Sequence, residues 1–334
     1  MTLKPILIAI ALIVVGVIFV PSAAAQGTVR HYYIAAEDVF WDYAPTGRDL
    51  IHSGLIPKPW TNFTRWRKTR YIEYTDGTFA SRKPQPEWLG VLGPIIRAEV
   101  GDTVLVHFRN NASGYYGMHP HGFRYTKDNE GAHYFGFDGT PPGAGAQVPP
   151  GGSFTYTWVA DEDSSPGPGD PSSLVWWYHS HVDEPAETNA GLLGPIIITR
   201  RGMARSSEDP SPRDVDREFI TLFMVFDEAH GVERGLMHGI NGYFFGNLPG
   251  LVMNRGDRVR WYLLGMGNEV DLHTGHWHGK TVQFHNRRTD VIELLPGSMA
   301  TADMTADNPG TWLYHCHVAD HIDAGMIATY TIRP

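Results

Sequence analysis

Apolar and polar residues alternate along much of this chain in short segments that glycine and proline separate. Residues 32–43 form an aromatic-rich segment of this kind, and residues 153–159 form another. Side chains alternate between the two faces of a β-strand, whereas an amphipathic helix repeats its apolar positions every three or four residues. No segment carries a convincing helical pattern, so the sequence predicts an all-β protein with many turns.

The chain also contains an internal repeat. Residues 95–108 and residues 251–262 share the pattern of a strand, a Gly-Asp turn and a second strand. Each is followed by a His-x-His-Gly motif, and later by a strand that ends in a second His-x-His. This repeat predicts two similar β-sandwich units.

Two segments divide the chain. Residues 201–216 are polar and charged and contain two prolines, which is typical of a linker. We therefore predict one domain over residues 28–200 and a second over residues 217–334. Residues 1–25 combine a lysine, an apolar run and a small-residue cleavage point, which predicts an export signal to the periplasm or the cell exterior. An uncleaved membrane anchor is the alternative, although the apolar run is short for a span.

Composition narrows the class of protein. The 334 residues are 42% hydrophobic and 19% charged, which is typical of a globular protein with room for two cores. The net charge of −9 makes the chain a poor candidate for binding nucleic acid. Cys316 is the single cysteine, which excludes a disulfide framework. Metal ligation would keep such a thiol as a protected thiolate.

The strand that leads into Cys316 carries the most specific chemistry. His315 and His317 should point to one face of this strand, while Cys316 points to the other. Cys316, His321 and Met326 supply a thiolate, an imidazole and a thioether. A second imidazole would complete the trigonal site of two histidines and one cysteine, with a weak axial methionine, that is typical of blue copper.

Four His-x-His pairs occur at corresponding places in the two repeats. A pair on a strand presents both imidazoles on one face, as the ligands of a metal cluster require. One pair alone can be incidental, but four in a duplicated chain are not. They comprise His119, His121, His179, His181, His276, His278, His315 and His317. His273 precedes its pair by an odd offset, so it should face away from the pair and join Cys316.

The complete pattern resembles the signature of multicopper oxidases over the whole mature chain. It reads His-x-x-His-x-His from His273, followed by His-Cys-His-x3-His-x4-Met from His315. The resemblance implies two cupredoxin-like, Greek-key β-sandwich domains, an electron-accepting type 1 copper, and a trinuclear cluster that reduces O2 to water. It implies about four copper ions per chain. By position, type 1 copper would bind His273, Cys316, His321 and Met326; type 2 copper His119 and His276; and the type 3 pair His121, His179, His181, His278, His315 and His317.

The first repeat departs from this pattern. Tyr116 stands where the second repeat has His273, and Ser180 stands where it has Cys316. The chain therefore resembles a two-domain oxidase whose blue site is confined to the second domain. That group implies a homotrimer, in which domain 1 of one subunit and domain 2 of the next share each cluster.

Other segments are similar to the ceruloplasmin and hephaestin branch, namely residues 32–37, 242–250, 267–273 and 317–321. This similarity implies Fe(II) as the reductant. The positions that match the iron site of that branch are Glu233, His238, Asp320 and Glu269. These acidic residues could instead be ordinary solvated loop charges. A laccase-like oxidation of phenols or aromatic amines would use the same copper machinery.

The implied mechanism carries electrons from type 1 copper through Cys316 to His315 and His317, with Asp320 beside the point where iron gives up its electron. Asp183 and Glu184 are candidates for proton supply only by their proximity in sequence, two and three residues after His181, and a surface role would explain them equally well. Three rival classes fit the motifs less well. A copper nitrite reductase would carry its blue site in the first domain, a non-enzymatic copper carrier needs no imidazole cluster, and a coagulation-factor-like module loses most copper ligands.

Overall fold

Strands make up the core of the protein, as the sequence predicts. The computed structural model describes residues 27–334, so the predicted export signal lies outside the described residues. The first sandwich contains two four-stranded sheets, of order β4-β1-β6-β8 and β5-β10-β9-β7, and a small β2-β3 sheet. Its strands are β1 (Val29–Asp42), β2 (Arg48–Asp49), β3 (Gly54–Leu55), β4 (Arg65–Tyr74), β5 (Ile96–Glu99), β6 (Thr103–Asn110), β7 (His119–Pro120), β8 (Ser153–Val159), β9 (Ser173–His179) and β10 (Leu193–Thr199).

The second sandwich follows the same plan with more strands. A six-stranded sheet of order β12-β11-β14-β19-β16-β17 packs on a five-stranded sheet of order β13-β21-β20-β15-β18. Its strands are β11 (Arg217–Asp227), β12 (Leu236–Ile240), β13 (Val252–Asn254), β14 (Arg258–Gly265), β15 (His273–Trp277), β16 (Val282–Phe284), β17 (Arg287–Thr289), β18 (Val291–Leu294), β19 (Met299–Thr305), β20 (Gly310–Cys316) and β21 (Ile327–Arg333). The predicted all-β class is therefore confirmed.

The two Gly-Asp turns connect sheets and do not close hairpins. β5 and β6 lie in opposite sheets of the first sandwich, and β13 and β14 lie in opposite sheets of the second. Gly101 and Gly256 have φ angles of 110° and 94°, a region that favours glycine. The Asp102 and Asp257 carboxylates accept the backbone N–H groups three residues earlier at 2.7 and 2.8 Å. These side-chain bonds turn the chain from one layer to the other.

Within the described part of the chain, two short helices interrupt the all-β pattern that the sequence predicts. They are α1 (Glu184–Ala190) and α2 (Ala319–Asp323), and each directly follows a His-x-His strand. Helices this short complete too few turns to show a helical period in the sequence. Four 3-10 turns accompany them: Glu87–Leu89, Lys127–Asn129, Glu162–Ser164 and Glu233–Gly235. Among residues 27–334, no helix is both long and apolar enough to cross a membrane.

A buried apolar cluster joins the two sandwiches. Trp177 and Leu193 of the first pack in the same cluster as Ile220 and Leu222 of the second. An ion pair between Lys68 and Glu228 crosses the same boundary, and their side chains are 0% and 7% exposed. Buried charges are tolerated only when they are paired, so this contact fixes how the sandwiches meet.

Candidate metal centre

A mononuclear group of ligands lies inside the second sandwich. Sγ of Cys316 is 3.6 Å from Nδ1 of His321 and 3.9 Å from Nδ1 of His273. The two imidazole Nδ1 atoms are 3.1 Å apart. Their donor atoms thus converge on one site. Because all three side chains are buried, water is excluded from this site.

Three elements bring these ligands together. β15 supplies His273 and β20 supplies Cys316, which pairs with Gly275 in the antiparallel register. α2 then returns the chain so that His321 faces the thiol. The backbone of the fully buried Met326 closes the loop, because its carbonyl accepts from Cys316 N at 3.1 Å and its N–H donates to the His321 carbonyl at 2.9 Å.

The surroundings of Cys316 favour a thiolate. Burial alone raises the pKa of this thiol, but hydrogen bonds from His273, His321 and two backbone N–H groups lower the pKa to about 6. The backbone donors are Thr274 and Val318, each 3.5 Å from Sγ. The sulfur is therefore ready to bind a metal ion at neutral pH.

Asp271 orients His273, and sequence reasoning missed it. Its carboxylate lies 3.0 Å from Nε2 of His273 and is completely buried. The same carboxylate accepts the backbone N–H of Val225 at 2.6 Å and of Asn268 at 2.9 Å. Although burial opposes it, this bond raises the pKa of His273. Because Nε2 is committed to Asp271, Nδ1 is left to face Cys316, as in many metal sites.

The donor set of this mononuclear group fits copper. Two nitrogens and one sulfur held about 2.0 and 2.3 Å from one ion in a trigonal plane would be about 3.5 to 3.7 Å apart. The observed separations of 3.1, 3.6 and 3.9 Å bracket these values. Two imidazoles, a thiolate and a nearby methionine form the donor set of a blue copper site.

A second group of imidazoles lies on the other side of β20. His276, His278 and His315 converge, and Nε2 of His278 is 2.9 Å from Nε2 of His315. Nδ1 of His276 donates to the Asp290 carbonyl at 2.9 Å, which leaves its Nε2 to face the group. The ring of His317 is 5.2 Å from that of His276. β20 thus delivers adjacent residues to two different groups.

The first sandwich holds a matching group. His119, His121 and His179 converge, with 3.2 Å between Nε2 of His121 and Nε2 of His179. Nδ1 of His119 donates to the Glu130 carbonyl at 2.7 Å, as His276 does to its own backbone partner. The His181 ring lies 5.4 Å from that of His119. Strand pairing places His119 opposite its partner on β9 in the same way as in the second sandwich.

Several of these imidazoles are held neutral. Burial, followed by repulsion from neighbouring imidazoles, lowers the pKa of His121 to about 4. Burial is also the main cause that lowers the pKa of His179 to about 4. The same causes lower the pKa of His278. Neutral imidazoles bind metal ions without first losing a proton, so these groups are prepared for a cluster.

The first sandwich fills the place of the mononuclear site with other residues. Ser180 N donates to the Leu192 carbonyl, and Leu192 N donates to the Glu187 carbonyl, which repeats the bonds around Met326. Gly117 N donates to Ser180 Oγ at 3.1 Å, as Thr274 does to the sulfur of Cys316. The Ser180 hydroxyl, the Glu187 carboxyl and the Leu192 isobutyl group thus stand in place of the thiolate of Cys316, the imidazole of His321 and the thioether of Met326.

The residues predicted to bind iron are only partly brought together. The His238 ring lies 5.2 Å from that of the ligand His321. Burial, followed by repulsion from His321, lowers the pKa of His238 to about 4, while the nearby Asp320 acts in the opposite direction. Glu233 and Glu269 are exposed, the first in the 3-10 turn before β12 and the second in the turn before β15. Among residues 27–334, no hydrogen bond or ion pair joins either of them to His238.

Both sandwiches match one protein family. Two multicopper oxidase family models match the chain, one over residues 89–202 and the other over residues 221–334, together more than half of the chain. The chain therefore belongs to the multicopper oxidase family, which is a family of oxidoreductases.

Several animal proteins are similar to this chain. Hephaestin of Rattus norvegicus is 39% identical over 93% of this chain and 30% of its own length. The protein named ferroxidase HEPHL1 of Homo sapiens is 38% identical over 94% of this chain and 30% of its own length. Ceruloplasmin of Mus musculus is 38% identical over 95% of this chain and 32% of its own length. The chain thus spans about a third of the length of these relatives.

Solved structures share the fold. A structure titled as a crystal structure of multicopper oxidase aligns with a TM-score of 0.64 and 19% identity, and the alignment covers 91% of this chain and 89% of that one. A blue copper oxidase from Nitrosomonas europaea aligns with a TM-score of 0.59 and 20% identity, covering 91% and 86%. These similarities establish the cupredoxin-like architecture of the two sandwiches.

Proposed function

We propose that this protein is a ferroxidase that couples one-electron oxidation of Fe(II) to the reduction of O2 to water. When bound, copper would supply one-electron redox chemistry at the mononuclear site and O2 reduction at a trinuclear cluster. His273, Cys316 and His321 would hold the type 1 ion, with Met326 as a further, weaker ligand. The eight imidazoles of the His-x-His pairs would hold the type 2 and type 3 ions in the assignment made from the sequence.

One observation carries the oxidase part of this proposal. Cys316 contributes to the mononuclear group, and its neighbour His315 contributes to the second imidazole group. The His317 ring lies 5.6 Å from that of His315, so both flanking imidazoles face the same group. A covalent path of one residue therefore connects two chemically different sites. An enzyme that accepts electrons at one site and uses them at another needs such a connection.

The residues around the sites have separate tasks. Burial of Cys316 and Met326 keeps water away from the thiolate. Oε2 of Glu184 lies 3.4 Å from Nε2 of His181, so this carboxylate can hold a proton beside the first imidazole group. Asp183, the other predicted proton donor, contributes its backbone carbonyl to Glu187 N at 2.9 Å. We favour Glu184 for proton supply because, among residues 27–334, its carboxylate lies within 4.0 Å of His179 and His181, whereas that of Asp183 lies within 4.0 Å of no imidazole.

The Fe(II) part rests on His238 and Asp320. His238 is half-buried against His321, and Asp320 is exposed and directly precedes His321 in α2. Carboxylate and imidazole are suitable ligands for iron, and carboxylate favours the trivalent product. Iron held there would lose its electron one residue from the mononuclear site. Glu233 and Glu269 would complete the iron site by side-chain movement or from another subunit.

A homotrimer would complete the cluster. Each imidazole group draws all its members from one sandwich. His276 and His278 line an open depression of about 490 Å³, where a second group could approach. Beside the first group, Phe135 and Phe137 are exposed on the loop that His133 anchors through a backbone bond to His181. A ring in which the first sandwich of one subunit covers the second sandwich of the next would bury both surfaces.

Laccase-like oxidation of organic substrates is the second candidate. Val270 and Leu272 are exposed immediately before the ligand His273, and Leu295 is exposed beyond the strand that pairs with it. An apolar surface at this place would suit a phenol or an aromatic amine better than a metal ion.

Metal analysis tests the oxidase proposal. We expect about four copper ions per chain, with a blue thiolate absorption and a near-ultraviolet type 3 absorption. Cys316→Ser should abolish the blue band and leave the imidazole-bound copper in place. A wild-type protein with one copper per chain and no type 3 absorption would contradict the proposal.

Comparison of substrates tests the Fe(II) assignment. We expect the double variant Asp320→Ala with Glu233→Ala to lose Fe(II) turnover while it keeps turnover of a phenol. A double variant in the exposed segment before β11, Glu208→Ala with Asp209→Ala, provides a control with the same change in charge. If Fe(II) and phenol turnover fall equally in the first variant, the iron site lies elsewhere and the laccase-like candidate is favoured.

The location of the protein is also a proposal. The sequence of residues 1–25 supports export, with a membrane anchor as the alternative. N-terminal sequencing of the protein from its natural source would distinguish a cleaved signal from a retained one.

A further inference from the structure

Two histidines outside the copper ligands meet on the outer face of the first sandwich. His31 lies on β1 and His107 lies on β6, the neighbouring parallel strand. Nδ1 of His31 is 3.0 Å from Nε2 of His107, and the two rings are parallel within 4°. His31 is exposed and His107 is half-buried, so the pair lies at the solvent-facing surface of the sheet.

The distance between these two nitrogens fits two imidazoles that bind the same metal ion. The three imidazole pairs of the copper centre have nitrogen separations of 2.9, 3.1 and 3.2 Å, and the surface pair falls within this range. Two nitrogens each about 2.0 Å from one ion are about 2.8 Å apart at a right angle and about 3.3 Å apart at the tetrahedral angle. The value of 3.0 Å lies between these limits.

Neighbouring residues hold His107 in the orientation of a ligand. Thr155 on the adjacent strand β8 places Oγ1 3.2 Å from Nδ1 of His107. Thr155 can accept the Nδ1–H, which leaves Nε2 with a free lone pair directed at His31. The Tyr33 ring stacks on the His107 ring, with centroids 4.7 Å apart and planes within 13°. A hydrogen bond on the far nitrogen and a packed ring are the usual supports of a metal-binding histidine.

We propose that His31 and His107 form a surface site for one Cu(II) ion, separate from the copper of the oxidase. Without metal, the Nδ1–H of His31 donates to Nε2 of His107. To bind the ion, His31 would take the tautomer with its proton on Nε2, which frees the Nδ1 lone pair for the metal, and no proton is lost from the pair. Imidazole suits copper, nickel and zinc, and Cu(II) has the highest affinity of the divalent first-row ions. Because the protein supplies only two ligands, water would complete the coordination and the ion would exchange readily.

Equilibrium dialysis against Cu(II) tests the site in the copper-loaded protein without a histidine tag. We expect the wild type to bind one Cu(II) ion beyond its resident copper. Electron paramagnetic resonance should show an added type 2-like signal with coupling to two imidazole nitrogens. His31→Ala and His107→Ala should both lose this ion and keep their oxidase activity.

Two further variants make the test specific. His230→Asn removes an exposed histidine of the second sandwich and should keep the extra ion. Thr155→Val should bind the ion about tenfold more weakly, because it loses the support of Nδ1. The proposal is overturned if the wild type binds no extra Cu(II), or if the extra ion persists in His107→Ala. Neither result bears on the proposed oxidase function, which rests on other residues.

Discussion

Replacement of Asp271 by asparagine should weaken the mononuclear site without unfolding the protein. The carboxylate is fully buried and receives three hydrogen bonds, from His273 Nε2 and from the backbone of Val225 and Asn268. Asparagine keeps the shape but offers one oxygen instead of two, so one of these donors meets an N–H group. A hydrogen bond to a charged group contributes about 1.5 to 3 kcal/mol. We therefore expect copper affinity at this site to fall about 10- to 100-fold.

The change should also be visible in the redox behaviour. A carboxylate on the far nitrogen raises the basicity of a ligating imidazole, which favours the oxidised metal. Asp271→Asn should therefore raise the reduction potential of the blue copper. Titration with a chelator, followed at the blue absorption band, gives the affinity, and the near-ultraviolet band of the cluster provides an internal reference.

Asp227→Asn provides the matched control. Asp227 accepts backbone N–H groups of Ala229 and Gly231 near the end of β11 and, in the described part of the chain, makes no hydrogen bond or ion pair with an imidazole. Its replacement should change the melting temperature but neither the copper affinity nor the potential. If Asp271→Asn lowers only the melting temperature, as the control does, then Asp271 supports the fold and does not orient His273.

Three further predictions use other parts of the structure. In copper-free protein, the pKa of Cys316 lies near 6 instead of 9.0, so the free energy of unfolding should rise as pH increases from 6 to 9. Chemical denaturation at several pH values should show this rise for wild type and a smaller rise for Cys316→Ser. Ser180→Cys should not create a second blue absorption band, because Glu187 and Leu192 occupy the other ligand positions. Glu228→Gln removes the charge opposite the buried Lys68 and should lower the free energy of unfolding by about 3 kcal/mol, whereas Glu162→Gln, in an exposed pair with Arg201, should change it by less than about 1 kcal/mol.

Strand alternation is the reason that so much of the site is visible in the sequence. Adjacent residues of a strand face opposite sides, so the segment around Cys316 alone predicts two groups of ligands. The odd offset of His273 from its pair predicts which group it joins. The structure brings Cys316, His273 and His321 together, and it keeps His315 with His276 and His278.

Contacts that depend on turns are not visible in this way. Asp271 reaches His273 because residues 267–271 fold back, with Gly267 at a φ of 126°. A β-carbon on Gly267 would lie 2.1 Å from the Asp271 carboxylate, so this turn requires glycine there. A carboxylate two positions before a ligand has no distinctive spacing, and only the folded turn shows its role. The Gly-Asp turns were similarly recognisable as turns, but the sheets that they connect were not.

The first repeat shows what the second needs beyond its cysteine. The chain takes twelve residues from Ser180 to its bonded partner Leu192, but ten from Cys316 to Met326. Counting along the sequence therefore places Pro185 opposite His321, whereas the backbone bonds place Glu187 there. Glu187 is buried, and burial raises the pKa of its carboxyl group despite hydrogen bonds from Ser180 and backbone N–H groups. Glu187 thus fills the position that corresponds to His321, and its bonds with Ser180 and backbone N–H groups hold the end of β9 and α1 together beneath the imidazoles of the first sandwich.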